Sequence, residues 1–335
     1  MKNGAIKEIL LATAAVLALA SVPAQADPKV TQSFDLRPGW NAVYLEVQPD
    51  PRDPATVFAG LPVESVWVWL NKNSAIDFIQ NPDEGLWDVP GWCAYFTAPK
   101  EAFLTNLFAV FANWAYLIKL GGSEAVTWTV TGSPSPKAVK WVGDSFNLVG
   151  FHVSPESPPD AQSFFAPSEA HAGQAIYRLN EQGRWDFVDD PSTTPLRGGE
   201  ACWVFCEGSS TYQGPLQVYL PMDDGLDYGT TLTVQTITLQ NVSDVSRTVS
   251  FTQLASAGSG EVVLVYRKWD KSTGFFTWLP LTDMGPIELA PEGLANVKLG
   301  VRREDMAVGL SESILKIADD KGIRFLVPVS VERIQ

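Results

Sequence analysis

Four short blocks recur in one order along this chain, and that duplication constrains the fold more than any other feature. Gly39-Trp40-Asn41-Ala42-Val43-Tyr44-Leu45-Glu46-Val47 can be laid over Ser145-Phe146-Asn147-Leu148-Val149-Gly150-Phe151-His152-Val153. Val57-Phe58-Ala59 then matches Phe164-Phe165-Ala166, and Gly85-Leu86-Trp87-Asp88 matches Gly183-Arg184-Trp185-Asp186. Last, Ala115-Tyr116-Leu117-Ile118 matches Cys202-Trp203-Val204-Phe205. The blocks predict two tandem copies of one module, 27–135 and 136–222, joined at Pro134-Ser135-Pro136, where paired prolines stiffen a linker. Two copies are too few for a solenoid or a propeller. Trp40, Asn41, Trp87, Asp88, Phe146, Asn147 and Trp203 are the residues that define the repeat.

Inside each copy the texture is β. Short runs such as Ser65-Val66-Trp67-Val68-Trp69-Leu70 and Val126-Thr127-Trp128-Thr129-Val130 are rich in β-branched and aromatic residues and end at Pro, Gly, Asn or Asp. One stretch departs from this. Between Lys100 and Ala115, Phe103, Leu104, Leu107, Phe108 and Phe111 fall at helical spacing, which predicts a short amphipathic helix in the first module.

From Leu226 the aromatics thin and period-two strands take over, from Thr231–Val234 to the hairpin Ile314–Ile317, Asp319-Asp320-Lys321-Gly322, Ile323–Val331. Seven to nine short strands in such a span predict an immunoglobulin-like β-sandwich over 226–335. Thr238-Leu239-Gln240-Asn241, Leu289-Ala290-Pro291 and Pro328-Val329-Ser330-Val331 carry a resemblance to the immunoglobulin-like accessory domains of secreted bacterial proteins. The two modules resemble those of bacterial surface proteins with repeated Gly-Trp-Asn starts. Neither resemblance implies a fixed activity.

Residues 1–26 read as a cleavable secretory signal. Lys2 and Lys7 precede the uncharged run Ile9–Val22, Pro23 breaks it, and Ala24-Gln25-Ala26 supplies small residues for cleavage. No Cys follows for a lipid anchor, and no later run is apolar enough to span a bilayer. The expectation is a soluble protein secreted across the inner membrane, periplasmic or extracellular, without a membrane span in the mature chain. A net charge of −14 repels phosphate backbones and anionic lipid, so nucleic acid is not an expected partner. A protein or glycan of the cell envelope is.

Cys202 and Cys206 lie on one strand-like run, about 13 Å apart, too far for a disulfide. Cys93 could pair with either, and buried free thiols are the expected state. No G-x-S-x-G, phosphate loop or CxxC occurs, and His152 and His171, the only histidines, are expected to face solvent. The sequence therefore predicts a non-enzymatic interaction or structural protein without a cofactor. The alternative is a carbohydrate-binding protein using exposed Trp67, Trp69 or Trp185, with Asp186 beside the last. A glycosidase-type hydrolase ranks third, since Asp186, Asp189 and Asp190 cluster near Trp185 and paired carboxylates suffice for that chemistry. Asp223, Asp224 and Asp227 offer oxygens to calcium, against the simpler reading of a solvated linker.

Overall fold

The structure, a computed structural model, describes residues 28–70, 91–222, 224–256 and 260–335. The expected signal peptide, Trp87, Asp88 and Asp223 lie outside them. The chain is mainly β, and the first module opens with strands β1 Val30–Leu36, β2 Gly39–Leu45, β3 Val47–Pro49, β4 Val63–Trp69, β5 Trp92–Phe96, β6 Trp114–Leu120 and β7 Val126–Pro134. A four-residue helix, α1 Pro54–Val57, sits between β3 and β4. Two antiparallel sheets result, ordered β1-β7-β3 and β2-β6-β4-β5. Alternation decides their faces: in β7, Trp128 and Val130 point inward while Thr127, Thr129 and Thr131 point out. Trp128 stacks on its cross-strand partner Phe34 at 4.9 Å and on Phe58 at 4.9 Å.

The second module repeats this plan. Strands β8 Ser145–Val149, β9 Ile176–Leu179, β10 Trp185–Phe187 and β11 Cys202–Cys206 form a sheet ordered β8-β11-β9-β10. Helix α2, Ala161–Phe165, follows β8. First, fourth, second and third strand is the order of β2-β6-β4-β5 as well. Both helices open on an aspartate: Asp53 Oδ1 accepts from Thr56 N at 2.9 Å, and Asp160 Oδ1 from Ser163 N at 2.7 Å. Both also bury the phenylalanine five residues on, Phe58 and Phe165.

The remaining strands are β12 Leu216–Tyr219, β13 Leu226–Asp227, β14 Val234–Asn241, β15 Arg247–Ala255, β16 Leu264–Asp270, β17 Phe275–Pro280, β18 Ile287–Leu289, β19 Leu294–Val301, β20 Gly309–Asp319 and β21 Arg324–Arg333. They make a two-sheet sandwich, β12-β14-β19-β16-β17 over β13-β21-β20-β15-β18. The meander read from residue 231 onward is there with one correction: the strand expected at Thr231–Val234 is turn and irregular backbone up to Thr233, and the first strand is β14, Val234–Asn241. One strand crosses the expected boundary, however. β12, inside the span 136–222, pairs with β14 rather than with the second module. It occupies the chain position that β7 holds in the first copy. The second module thus lacks a second sheet of its own, and the sandwich covers its inner face instead. One continuous core runs from Val149, Phe164 and Val204 through Leu216 and Tyr228 to Leu239 and Val327.

The helix expected between Lys100 and Ala115 is absent. Only Ala102–Leu104 turn, as a 3₁₀ segment, and Phe103 and Phe108 are exposed while Leu107 and Val110 are buried. The segment is held by β5 instead. Asn106 and Leu107 N–H groups both donate to Ala94 O, Asn106 Oδ1 accepts from Ala94 N, and Thr105 Oγ1 from Phe96 N. Asn and Thr are weak helix formers whose side chains serve backbone groups well. Here they satisfy an open strand edge, which outweighs a helical stripe of phenylalanines.

Candidate functional site

The tryptophans predicted as a binding platform form the seam between the two modules. In β4, Val66 and Val68 face the first module's own core, while Trp67 and Trp69 face the second module. On the facing sheet, Cys202 and Val204 of β11 point toward the sandwich side and Trp203 points back at the first module. Six indoles meet there: Trp40, Trp67, Trp69, Trp92, Trp185 and Trp203, none more than 9% exposed. Trp203 is the hub, with ring centroids 5.8 Å from Trp69, 6.1 Å from Trp185 and 6.3 Å from Trp92. Trp67, Trp69 and Trp185 therefore present no open aromatic face to a sugar. Asp186, on the exposed side of β10, accepts from Asn180 Nδ2 at 2.9 Å and ties its own hairpin. Backbone bonds stitch the seam: Tyr44 N donates to Gly199 O at 2.8 Å and Ala201 N to Ala42 O at 3.2 Å.

The repeat-defining asparagines do one job twice. Asn41 Oδ1 accepts from Arg37 N, and its Nδ2 donates to Arg37 O and Gly39 O at 2.7 and 3.1 Å. Asn147 Oδ1 accepts from Val142 N, and its Nδ2 donates to Val142 O and Ser145 O, both at 3.0 Å. Each pins the loop that leads into the first strand of its sheet. Phe146, beside Asn147, meets Phe205 and Tyr177 edge to face.

Three units contribute to one buried polar junction. Glu46, between β2 and β3, comes from the first module; His152, after β8, from the second; and Arg324, at the start of β21, from the sandwich. Arg324 Nη2 donates to Glu46 Oε2 at 2.8 Å, and His152 Nδ1 lies 3.5 Å from the same oxygen. His152 Nε2 is 3.5 Å from the Tyr44 hydroxyl, which donates to Asn113 Oδ1 at 3.0 Å. The Glu46 side chain is 6% exposed. Burial alone raises the pKa of that carboxyl, but the hydrogen bond and charge of His152 and the guanidinium of Arg324 more than offset it. The group is held below its ordinary range. Burial pushes the Tyr44 phenol well above its ordinary value, so it stays protonated. Backbone bonds fix the surroundings: Arg324 N donates to His152 O at 3.1 Å and Ser154 N to Gly322 O at 2.8 Å.

A carboxylate, an imidazole and a hydroxyl in series are the parts of an acid–base relay, yet this arrangement has no free end. Both histidine nitrogens aim at protein groups, and the tyrosine is 1% exposed. A cleft of about 480 Å³ runs past His152, walled by Lys137, Lys140, Tyr219, Asp224 and Phe325. His152 borders it, with its two ring nitrogens 3.5 Å from Glu46 and from Tyr44. The junction is arranged to hold three units together.

Neither histidine faces solvent as expected. The His152 side chain is 12% exposed, and His171 is 1% exposed against Trp141, at 4.1 Å between centroids, with Ser168 Oγ 2.7 Å from Nδ1. Burial pushes the His171 pKa down to about 4. His152 lies in irregular backbone and His171 in a turn, so no strand alternation governs which way they point. Glu46 and Arg324 escaped the sequence reading because they sit far apart in the chain. The available signal was a lone charge, Glu46, inside the apolar run Tyr44–Val47.

None of the three cysteines is in a disulfide, and Cys202 and Cys206 are buried on β11. Among the described residues, no group of three or more His, Cys, Asp or Glu is placed to hold a metal. Asp224 and Asp227 are exposed; Asp227 Oδ1 accepts from Gly229 N at 2.9 Å and Ser330 Oγ at 2.8 Å, serving the turn between β13 and β14. No helix among the described residues is long and apolar enough to cross a membrane.

No family model matches this chain, and no curated protein matches it. Among solved structures, it is similar to the ASH/PapD-like domain of human CEP192 (PapD-like domain 7), at 11% identity and TM-score 0.23, over 36% of this chain and 86% of that one. It is also similar to a family 123 glycoside hydrolase from Clostridium perfringens, at 8% identity and TM-score 0.25, over 36% of this chain and 27% of that one. The chain thus spans about a quarter of the hydrolase's length.

Proposed function

We propose that this chain is a secreted, non-enzymatic interaction or structural protein of the bacterial envelope, built as a stiff three-unit body that presents its outer surfaces to a partner. The observation that carries the reading is the junction of Glu46, His152 and Arg324. The carboxylate and the imidazole best suited to acid–base chemistry come from different units, and Arg324 of the third unit meets His152 at the same Glu46 oxygen. Such a junction, with the six-indole seam, fixes the units against each other. Stiffness of that kind serves a scaffold, since a preorganised surface binds without first losing conformational freedom.

The hydrolase reading draws little from the visible clefts. One, about 700 Å³, includes Asp160 and Asp244 in its wall, but Asp160 is committed to Ser163 N and Ser163 Oγ at the start of α2. The carbohydrate-binding alternative draws no support from Trp67, Trp69 or Trp185, which are buried. Export rests on residues 1–26.

The test is a turnover screen of the purified protein against chromogenic glycoside, ester and peptide substrates, in parallel with His152→Ala. The expected outcome is no rate above buffer for either. A rate that His152→Ala or Asp186→Asn abolishes without unfolding the chain would overturn the proposal.

A further inference from the structure

The outer face of the sheet β12-β14-β19-β16-β17 has a composition that the rest of the chain does not lead one to expect. Strand alternation and register define it: Val265, Arg267 and Trp269 of β16 share the face with Phe276 and Trp278 of β17, and Thr238 of β14 faces Asn296 of β19. The chain carries 38 acidic residues. None occupies an outward position on these five strands, whereas Arg267 and Lys298 do. Aromatics stand at both ends, Tyr219 at 50% exposure on β12, and Trp269 and Phe276 at 49% and 53% on the β16–β17 hairpin.

The hydrogen bonds within the face leave donors outward. Thr238 Oγ1 donates to Asn296 Oδ1 at 2.8 Å, which occupies that acceptor and leaves the Asn296 amide N–H groups free to face solvent. The Tyr219 hydroxyl donates to Gln217 Oε1 in the same way. Arg267 places its guanidinium carbon 3.9 Å from the Phe276 centroid, a cation–π contact that holds the charge on this face. The face is roughly 19 Å across at the ~4.8 Å spacing of neighbouring strands.

We propose that this face is a binding site for an anionic polysaccharide of the uronate type. Cations and outward amide donors match carboxylates and ring hydroxyls, and the flanking aromatic rings match the apolar faces of sugar rings. The absence of carboxylates is the charge complementarity that an acidic chain needs in order to accept a polyanion. At physiological ionic strength the screening length is about 8 Å, so a polymer seated on the face feels Arg267 and Lys298 rather than the distant acidic surface. An anionic bilayer is the competing partner, because Trp269, Phe275 and Phe276 are exposed together at the end of the β16–β17 hairpin; the amides and hydroxyls at the centre of the face favour the sugar polymer. The inference rests on the interaction-protein reading and names its partner class.

Retention of the purified protein in affinity gels containing polygalacturonate or alginate tests it, with dextran, phosphatidylglycerol vesicles and single-stranded DNA as the other arms. The expected result is retention by the uronate polymers, none by dextran, and weaker retention at 0.5 M salt. The double variant Arg267→Glu/Lys298→Glu should bind about tenfold or more weakly, and Trp269→Ala several-fold more weakly. Arg197→Glu, an exposed cation elsewhere, should bind as the parent does. No retention, equal loss in Arg197→Glu, or stronger binding to DNA or vesicles overturns the site. Reducing ends are assayed in the same samples. Their release, with retention still lost in the double variant, supports the site and overturns only the non-enzymatic reading.

Discussion

Asn41 and Asn147 hold equivalent places in two successive folds and make the same three kinds of backbone hydrogen bond. Each closes a loop onto itself before the first strand of a four-stranded sheet, and each is buried. The shared aromatic-Asn pair is therefore a folding device, and it accounts for the part of the repeat that survives divergence.

Removing one copy tests that device. Asn147→Ala strands Val142 N, Val142 O and Ser145 O at a fully buried site, and is expected to cost about 2–3 kcal/mol. Urea unfolding with an unchanged slope reads it directly. A midpoint that does not move would mean that water replaces the amide without loss.

The Glu46–Arg324 pair should be expensive to break from one side. Glu46→Gln leaves the Arg324 guanidinium without its counter-charge, and a loss of about 3–5 kcal/mol is expected for a buried pair. The double variant Glu46→Gln/Arg324→Met should recover much of that, because the uncompensated cation is gone. Glu46 is held below its ordinary value of 4.5 in the folded chain. Its contribution is therefore complete above that value and is lost as pH falls through the native pKa. Below about pH 4.5 the parent should lose stability more steeply than the double variant, in a series of urea midpoints.

His171 governs a different interval. The unfolded chain takes up its proton near 6.5 and the native chain only near 4, because burial disfavours the imidazolium. Stability should thus decline as pH falls from 6.5 toward 4, by up to roughly 3 kcal/mol. His171→Phe should flatten that interval and leave the steeper loss below pH 4.5 in place. A parent curve already flat between pH 6.5 and 5 would contradict the assignment.

Trp203 offers a comparison between size and polarity. Its indole N–H is buried without a hydrogen-bond partner. Trp203→Ala should cost about 3–5 kcal/mol through the cavity at the seam. Trp203→Phe should cost less than about 2 kcal/mol, since it removes an unsatisfied donor along with part of the ring. Equal losses in the two variants would argue that the donor is satisfied in solution.

At Gly150 the two modules approach closely. A Cβ there would stand 2.2 Å from Tyr44 Cβ and Cγ, and Tyr44 cannot retreat from a fully buried position. Gly150→Ala is expected to undock the modules while leaving each sheet paired. Faster proteolysis near Pro134–Pro136 and a red-shifted tryptophan emission, with far-ultraviolet dichroism unchanged, are the readouts.

Local chemistry was enough to determine much of this architecture. Period-two runs marked the sandwich strands, the aromatic-Asn pair marked the duplication, and both depend on side chains close together in the chain. Only the tertiary structure decided where the tryptophans point. Val66-Trp67-Val68-Trp69 alternates identically whether its indoles meet solvent or a second sheet, because period two separates faces without saying what covers them. The assignment of β12 to the sandwich and the meeting of Glu46, His152 and Arg324 likewise depend on contacts between distant segments. Such contacts leave no periodic trace in a sequence. The duplication was therefore legible in one dimension, and its use, burying one repeat's tryptophans against the other's, was settled only when the two sheets met.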